Sequence, residues 1–375
     1  MNLLKKDMLT KALYGILTAA MAVFIASGCT PRKDKADSQN ESVQVNNESS
    51  AQKSDSADKN VENSTKEDVS DKKDLPKIGV IQLMEHTSLN IIYDSFSSEM
   101  KELGYEDGKN CEINFKNANG EMSNIPTIVQ NFDSDKQDIV VAITTPVAQA
   151  AMPLTKTTPV IFCAVTDPVK AGVVTDYNIT DKGMTGTTDA VNVEKIMELA
   201  LKITPDVKSV GYIYNPGEDN SVSNLNKLKK FCDDNSLKLE ETGIASSADL
   251  QMAANTILGK VDMLFVANDN TVAEAMPILM KEVIAAKKPI YVGADSMVMD
   301  GGFATLGIDY TDLGKETARM VDKVLKGEKV ENIPVKVFKD DLYIYVNTDT
   351  AKELGIEIPD DIKNDPKFKE IKNKQ

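Results

Sequence analysis

Residues 138–165, DIVVAITTPVAQAAMPLTKTTPVIFCAV, decide the fold class of this chain. They contain two uninterrupted apolar runs, at 138–143 and 159–165, which are separated by a segment rich in helix-forming residues. Continuous apolar runs of this length are typical of parallel strands whose sheet is covered by helices on both faces. The stretch therefore predicts a strand, a helix and a second strand of an α/β sheet.

The same alternation of strand and helix extends through the chain from Pro76 onward. Short β-type runs predict further strands at 77–82, 111–118, 208–215, 237–244, 262–268 and 289–295. Helical spacing of apolar residues predicts a helix after the first of these strands, closed by Gly104, and another near 123–133. We therefore expect an α/β protein with two sheets.

Two segments of the chain resemble each other. Residues 138–154 and 262–279 both contain a strand, a polar loop, the pattern Val-Ala-x-Ala and Met-Pro, and a strand beginning at a proline follows each. Chance similarity is one explanation, and two lobes built on one plan is the other. Because ligands bind at the carboxyl ends of parallel strands, two such lobes facing each other would form a binding cleft.

The charge balance and the single histidine exclude several classes of protein. The chain has 43 Lys and Arg against 58 Asp and Glu, a net charge of −15, whereas nucleic-acid binding needs clustered basic residues. One imidazole, His86, cannot build an HExxH zinc site, and the sequence has no GxSxG motif and no P-loop. We expect no enzyme activity, cofactor or metal; an acid/base pair of Glu85 and His86 is the enzymatic alternative.

Cys111, Cys163 and Cys232 lack CxxC spacing and are predicted to be buried thiols.

The N-terminal 75 residues predict export and a tether. Lysines precede an apolar run at 12–26, which is typical of a secretory signal peptide and assigns it to residues 1–28. The end of this run resembles the lipobox of bacterial lipoproteins, which implies lipidation of Cys29, although Ala26 stands where that family prefers Leu. An ordinary cleaved signal or an uncleaved anchor is the alternative. Residues 29–75 are polar, without an aromatic residue from 30 to 74, and predict a disordered tether.

Polar side chains cluster in six loops that follow predicted strands, at 82–86, 144–146, 165–168, 215–221, 268–270 and 295–296, and these loops contain no Lys or Arg. Thr144 and Thr145 precede a helix that Pro146 could open, so a hydroxyl and free N–H groups would hold a carboxylate. Asp269 and Asp295 could pair with an ammonium group, and together these groups suit a zwitterion. Each residue could instead cap a helix or close a turn. The candidate ligand-binding residues are Gln82, Glu85, His86, Leu89, Thr144, Thr145, Pro146, Val165, Thr166, Asp167, Asn215, Asn220, Ser221, Asn268, Asp269, Asp295 and Ser296.

Several segments resemble the substrate-binding lipoproteins of ABC importers, in particular the subgroup that contains tryptophan- and other aromatic-amino-acid-binding proteins. The resemblance covers roughly residues 77–346 and is most specific in TDPVKAG (166–172) and GIDYTDLG (307–314); it also includes IGVIQLMEHTSLN, GYEDGKN, AITTPVAQA, NDNTVAEA and VGADSMVMDGGFATL. It implies a type I periplasmic-binding-protein fold, in which two Rossmann-like lobes with parallel sheets are joined by a three-crossing hinge. By that pattern the N-terminal lobe comprises 76–188 and 303–327, and the C-terminal lobe comprises 189–302 and 328–375.

The resemblance also implies partners and a location. We expect an extracytoplasmic protein that is anchored to the bacterial cell membrane through Cys29 and delivers its ligand to an ABC permease with its ATPase. The ligand itself is left open, but the scarcity of Arg in the loops favours an amino acid over an anionic sugar, and an aromatic one first. Apolar residues that could surround an aromatic side chain are Leu83, Met84, Leu89, Tyr214 and Met297. The alternative is a receptor that presents a bound sugar, nucleoside or other small molecule to a membrane sensor.

Overall fold

The structure is a computed structural model that describes residues 75–338 and 342–373. The predicted signal peptide, Cys29 and all but the last residue of the tether lie outside the described residues. Within the described ranges, no helix is long and apolar enough to cross a membrane. Cys111, Cys163 and Cys232 are buried free thiols, as predicted.

Strands and helices alternate along most of the described chain. The strands are β1 (Lys77–Gln82), β2 (Glu112–Asn117), β3 (Ile139–Ile143), β4 (Val160–Cys163), β5 (Met184–Thr188), β6 (Ser209–Tyr214), β7 (Lys238–Gly243), β8 (Met263–Val266), β9 (Ile290–Val292), β10 (Ala304–Gly307), β11 (Lys336–Val337), β12 (Tyr343–Asn347) and β13 (Phe368–Ile371). The helices are α1 (Thr87–Glu102), α2 (Asn124–Ser134), α3 (Thr145–Ala151), α4 (Val193–Ile203), α5 (Asp219–Asp234), α6 (Leu250–Leu258), α7 (Asn270–Glu274), α8 (Met276–Ala286), α9 (Asp295–Met299), α10 (Tyr310–Leu325), α11 (Thr348–Leu354) and α12 (Asp360–Lys363). Short 3₁₀ helices occupy Met152–Lys156, Ser247–Asp249 and Val330–Asn332.

These strands form two sheets with the same internal order. The first sheet has the order β11-β5-β4-β3-β1-β2 and the second β13-β12-β10-β9-β8-β6-β7. All strand pairs of the first sheet are parallel, and in the second sheet β10 and β12 form the one antiparallel pair among the described residues. Read from β2 and from β7, both sheets begin with the 2-1-3-4-5 order of doubly wound folds. The prediction of an α/β fold with two Rossmann-like lobes is confirmed.

The apolar runs of the sequence became the central strands. The runs at 138–143 and 159–165 contain β3 and β4, which pair in parallel and are buried along their whole length. The two similar segments take equivalent places, because β3 with α3 in the first sheet corresponds to β8 with α7 in the second. Strand β5 was missed, since its sequence MTGTT has no apolar run; its threonines are nevertheless buried, and Thr185 donates to the Ile333 carbonyl at 2.7 Å.

Helix α10 holds the first lobe together by close packing on α1. A side chain at Gly314 of α10 would place its Cβ 2.0 Å from Ser95 Oγ and 2.3 Å from the Ile92 carbonyl oxygen. Only glycine allows the two helix backbones to approach this closely. The close contact joins α10 to the first lobe, although the strand directly before it belongs to the second sheet.

The chain passes between the two sheets three times, and two of the predicted crossing points need correction. It leaves the first sheet after Thr188, at the end of β5. It returns after β10, which pairs with β9 and β12 in the second sheet, so residues 303–307 lie with the second lobe and not with the first. The last crossing follows β11, which pairs with β5, so it comes after residue 337 and not near Gly327. Both errors arose from strands of only four and two residues, which the local pattern of the sequence does not show.

Candidate functional site

A cavity lies between the two lobes, at the carboxyl ends of the strands of both sheets. Its empty volume, including space open to solvent, is about 350 Å³. The cavity is lined by His86, Ser88, Leu89, Thr144, Thr145, Ala164 and Thr166 after strands of the first sheet, by Asp189 and Tyr310 at two crossings, and by Asn220, Asn268, Asp269, Asn270, Ala273, Ala294 and Met297 after strands of the second. This is the position at which doubly wound sheets bind ligands.

Two threonines at the end of β3 present unpaired hydroxyls. Thr144 and Thr145 are each 2% exposed, and their Oγ1 atoms are buried without a hydrogen-bond partner. A buried polar group without a partner costs roughly 1–3 kcal/mol, which a ligand that accepts the hydrogen bond would offset. Helix α3 is only seven residues long before it tightens into a 3₁₀ turn, so the two hydroxyls, and not the helix, are the groups of this wall that could donate to a carboxylate.

The backbone at Thr144 is strained. Its φ of 92° and ψ of 159° fall in a region that is essentially restricted to glycine. Ala164, which follows β4 beside it, also has a positive φ, of 55°. Such backbone strain costs about 1–3 kcal/mol per residue and clusters at ligand sites, where the surrounding structure maintains it.

Asp189 is the carboxylate at the centre of the hinge. It follows β5 and accepts hydrogen bonds from Thr166 Oγ1 at 2.8 Å, from Asn268 Nδ2 at 2.5 Å and from the Tyr310 hydroxyl at 2.8 Å. Its partners come from a first-lobe loop, a second-lobe loop and the start of α10, so one carboxylate joins all three. Burial raises the pKa of Asp189, although these hydrogen bonds act in the opposite direction. Among the residues that the structure describes, no Lys or Arg lines the cavity to neutralise it.

A second buried carboxylate, Asp269, lies on the opposite wall. It caps α7 by accepting from the Val272 N–H at 2.9 Å, and it also accepts from the Asn215 N–H at 2.7 Å and from Ser221 Oγ at 2.6 Å. Burial, followed by repulsion from the buried Glu218 carboxylate, raises the pKa of Asp269 to about 8. The electrostatics of the cavity therefore favour a ligand that carries a positive charge.

The loop after β1 brings His86 to the cavity and joins the two lobes. His86 Nε2 lies 3.3 Å from Asn270 Oδ1 of the second lobe, and burial lowers the pKa of the imidazole to about 4. Two further hydrogen bonds cross between the lobes beside it, from Thr87 Oγ1 to Asp300 at 2.7 Å and between the hydroxyls of Ser88 and Ser296 at 2.6 Å. The lobes are therefore in direct contact at this side of the cavity.

Eight of the seventeen candidate residues predicted from the sequence line the cavity. They are His86, Leu89, Thr144, Thr145, Thr166, Asn220, Asn268 and Asp269. Their contact with a ligand stays a prediction.

The other nine candidates do not line the cavity. Gln82 donates to the Met84 carbonyl and to Asn90 Oδ1, Asp167 accepts from the Lys170 N–H, and the carboxylate of Asp295 accepts from the Ser296 N–H. Asn215 and Ser221 donate to Asp269, and the hydroxyl of Ser296 bonds to that of Ser88. Glu85 is exposed, whereas Pro146 and Val165 are buried in the lobe. Asp295 is expected from the sequence to bind an ammonium group, but it does not line the cavity, and its carboxylate accepts from the Ser296 N–H at 2.7 Å and from the Tyr310 N–H at 3.4 Å. Burial and the neighbouring Asp309 raise its pKa to about 7.

Sequence reasoning missed several residues of the cavity wall. Ser88, Ala164, Asp189, Asn270, Ala273, Ala294 and Tyr310 line the cavity but were not among the candidate ligand-binding residues. Asp189 and Tyr310 follow β5 and β10, so recognising those two strands would have revealed them by the same strand-end argument. Of the apolar residues proposed to surround an aromatic side chain, Leu89 and Met297 line the cavity, whereas Leu83, Met84 and Tyr214 do not.

Comparisons with known proteins agree with this architecture. A sequence model of the ABC transporter substrate binding protein family matches residues 77–369. A tyrosine-binding protein of Clostridioides difficile (strain R20291) is 38% identical over 287 residues, which are 76% of this chain and 83% of that protein.

Two solved structures differ in how well they match. An ABC domain from Streptococcus pneumonia in complex with L-Trp is 35% identical and gives a TM-score of 0.75, covering 79% of this chain and 99% of its own. A ligand-free, open substrate binding protein with adhesive properties from Clostridium difficile is 37% identical, covering 80% of this chain and all of its own, but its TM-score is 0.61. At nearly equal identity and coverage, the structure agrees better with the ligand complex than with the open protein. The family match spans far more than half of the chain, and the chain therefore belongs to the ABC transporter substrate binding proteins, which bind a solute and do not catalyse a reaction.

Proposed function

We propose that this protein captures an aromatic amino acid between its lobes, outside the cytoplasm, and delivers it to an ABC permease with its ATPase. The observation that carries the proposal is the pairing of groups in the cavity. Thr144 and Thr145 offer unpaired buried hydroxyls, Asp189 offers a buried carboxylate, and the lining contributed by residues 75–338 and 342–373 contains no Lys or Arg. Hydroxyl donors suit a carboxylate and a buried carboxylate suits an ammonium group, so the cavity fits a zwitterion.

Asp189 is the best partner for the ammonium group. Its three protein donors leave room for about one further hydrogen bond, because an ionised carboxylate accepts about four. A cation would also offset the cost of keeping this group buried. Asp269 supplies a second acceptor from the opposite wall, whereas Asp295 does not line the cavity.

The apolar character of the remaining wall and the ligands of the relatives both support an aromatic side chain. Leu89 and Met297 are apolar and buried, and three alanines, Ala164, Ala273 and Ala294, add small apolar surfaces to the lining. The two relatives with a stated ligand are a tyrosine-binding protein and a complex with L-Trp. These observations favour an aromatic amino acid over a smaller one.

Binding would act through closure of the lobes. A ligand that contacts both lobes shifts the population toward the closed arrangement, because it binds that arrangement better. The contacts Ser88 to Ser296 and Thr87 to Asp300 already join the lobes at the cavity rim. The permease would then recognise the closed face.

Membrane attachment through a lipidated Cys29 completes the proposal. Diacylation provides the two acyl chains that stable anchoring needs. Expression of wild type and Cys29→Ser in a bacterial host, followed by fractionation, tests it. The wild type should remain with the membrane, while the variant should be released or retained only as an unprocessed precursor.

Thermal-shift screening of the purified protein tests the ligand, after denaturation and refolding to remove any bound molecule. The panel contains the twenty amino acids, sugars and nucleosides. A ligand at a thousand times its dissociation constant adds about 4 kcal/mol to the free energy of unfolding. A rise in melting temperature confined to aromatic amino acids supports the proposal, whereas a rise only with a sugar or nucleoside contradicts it and favours the receptor alternative.

A further inference from the structure

His86 lines the cavity and has one ring nitrogen without a hydrogen-bond partner. It is the only histidine of the chain, and it lies on the cavity wall after β1. Its Nε2 is bonded to Asn270, but its Nδ1 is buried and has no partner. Burial deprives this nitrogen of its hydrogen bond to water, and a ligand that restores a hydrogen bond to it would therefore bind better.

Neighbouring residues determine which ring nitrogen carries the proton. The Glu218 carboxylate accepts from Asn270 Nδ2 at 2.6 Å and from the Asn270 N–H at 3.1 Å. The amide NH₂ of Asn270 is thereby directed at Glu218, and its carbonyl oxygen Oδ1 is directed at His86 Nε2, 3.3 Å away. Because an amide oxygen only accepts, Nε2 must carry the proton. The neutral imidazole then has an unprotonated Nδ1, which is a hydrogen-bond acceptor.

The other polar groups of the cavity account for the two ends of an amino acid. The unpaired hydroxyls of Thr144 and Thr145 can donate to the carboxylate. An ammonium group has three N–H donors, and Asp189, Asp269 and the unpaired Oδ1 of Asn220 supply three acceptors. The acceptor on His86 is left over for the side chain of the ligand.

We propose that His86 Nδ1 accepts a hydrogen bond from an O–H or N–H on the ligand side chain, so that the protein selects tyrosine or tryptophan over phenylalanine. This inference rests on the proposed function, the capture of an aromatic amino acid. Glu218 and Asn270 act as positioning residues, because they fix the tautomer without contacting the side chain of the ligand. The phenol of tyrosine and the indole N–H of tryptophan are suitable donors, and phenylalanine has none.

Nuclear magnetic resonance on the wild-type protein tests the tautomer directly. With ¹⁵N-labelled histidine and a purification tag that contains no histidine, the spectrum contains the two nitrogens of a single imidazole. At pH 7 we expect a proton on Nε2 and none on Nδ1. Tyrosine or tryptophan should shift the Nδ1 resonance toward that of a hydrogen-bonded acceptor, while phenylalanine should not. A proton on Nδ1 in the free protein would overturn the inference.

Calorimetric titration tests the selectivity, with tyrosine, phenylalanine and O-methyl-tyrosine as ligands. The wild type should bind phenylalanine and O-methyl-tyrosine on the order of 10–100-fold more weakly than tyrosine, since both leave Nδ1 unpaired. In His86→Phe the ratio of the phenylalanine to the tyrosine dissociation constant should fall to near 1. Glu218→Gln should reduce the same ratio, because the Asn270 amide is then free to turn over; a purely structural role would weaken all ligands equally and leave the ratio unchanged.

The outcomes separate this inference from the proposed function. If the wild type binds tyrosine and phenylalanine equally, the role of His86 is wrong and capture of an aromatic amino acid stands. If His86→Phe weakens both ligands equally, Nδ1 contacts the backbone end of the ligand, which also overturns the inference. If no aromatic amino acid binds, the proposed function itself fails. The comparison of ligands on the wild type holds even if a variant does not fold.

Discussion

Replacement of Asp189 by asparagine tests the proposed role of the hinge carboxylate. Asp189→Asn keeps the shape of the side chain and removes its charge. Asparagine Oδ1 can still accept from Thr166, and the Tyr310 hydroxyl can rotate to accept from the new NH₂ group. The Asn268 NH₂, now 2.5 Å from an NH₂ in place of a carboxylate oxygen, loses this acceptor and keeps its hydrogen bond to Thr166 Oγ1 at 2.7 Å. We expect a modest loss of stability in the free protein, on the order of 1 kcal/mol, for one lost hydrogen bond.

The loss of ligand affinity should be larger than the loss of stability. A hydrogen bond to a charged group contributes about 1.5–3 kcal/mol, and 1.4 kcal/mol corresponds to a factor of ten, so binding should weaken roughly 10–150-fold. Asp295→Asn is the matched control, because Asp295 is equally buried and follows a strand but does not line the cavity. It should change the dissociation constant by less than about threefold, as is usual for residues outside an interface core.

Isothermal titration calorimetry with an aromatic amino acid provides the measurement, and thermal unfolding of the free protein provides the reference for stability. A second ligand, the desamino analogue of the same amino acid, separates the charge interaction from other effects. Asp189→Asn should bind this analogue about as well as the wild type does. Unchanged amino-acid affinity in Asp189→Asn, or an equal loss in Asp295→Asn, would refute the assignment of Asp189 as the ammonium partner.

Three further predictions concern strain, pH and packing. Thr144→Gly should raise the free energy of unfolding of the empty protein by about 1 kcal/mol, because it relieves a backbone strain of about 1–3 kcal/mol and removes an unpaired hydroxyl while losing little buried surface. The same substitution should weaken ligand binding; a loss of stability with unchanged affinity would contradict a carboxylate seat. The empty protein should lose stability as the pH rises from 6.5 to 8, because burial raises the pKa of Asp269 to about 8, above its unfolded value of 3.8, so the native state binds more protons in this range. The lowered pKa of His86 acts in the opposite direction, but mainly below its unfolded value of 6.5. Denaturation midpoints measured across this pH range should show a shallower slope in Asp269→Asn. Gly314→Ala should destabilise the protein by about 1–3 kcal/mol through overpacking, whereas Gly259→Ala, which has no atom within 4 Å of the added Cβ, should be nearly neutral in urea unfolding; equal effects of the two would refute the close approach of α1 and α10.

Local patterns predicted the central strands of both sheets and the loops where the cavity lies. The apolar runs that became β3 and β4 are readable because a strand buried on both faces must be apolar along its length. The position of Thr144 and Thr145 is readable for a related reason, since a polar pair directly after such a strand must lie at the sheet edge where ligands bind. Strands β5 and β11–β13 lacked this signal: β5 carries threonines, one of which pairs its hydroxyl inside the protein, β11 has only two residues, and β12 and β13 are only partly buried.

The sequence by itself determined the α/β fold, the two lobes and the strand ends that line the cavity, because these follow from hydrophobic runs and turn residues within a few positions of each other. The tertiary structure alone decided that Asp189, and not Asp295, lines the cavity. Asp189 and Asp295 both follow strands and look alike in sequence, but Asp295 accepts from the next residue along the chain, while Asp189 is held by Asn268 and Tyr310, which are 79 and 121 residues away. The direction of a buried carboxylate depends on the donors that surround it in space, and those donors are brought together only when both sheets have formed and the chain has crossed between them.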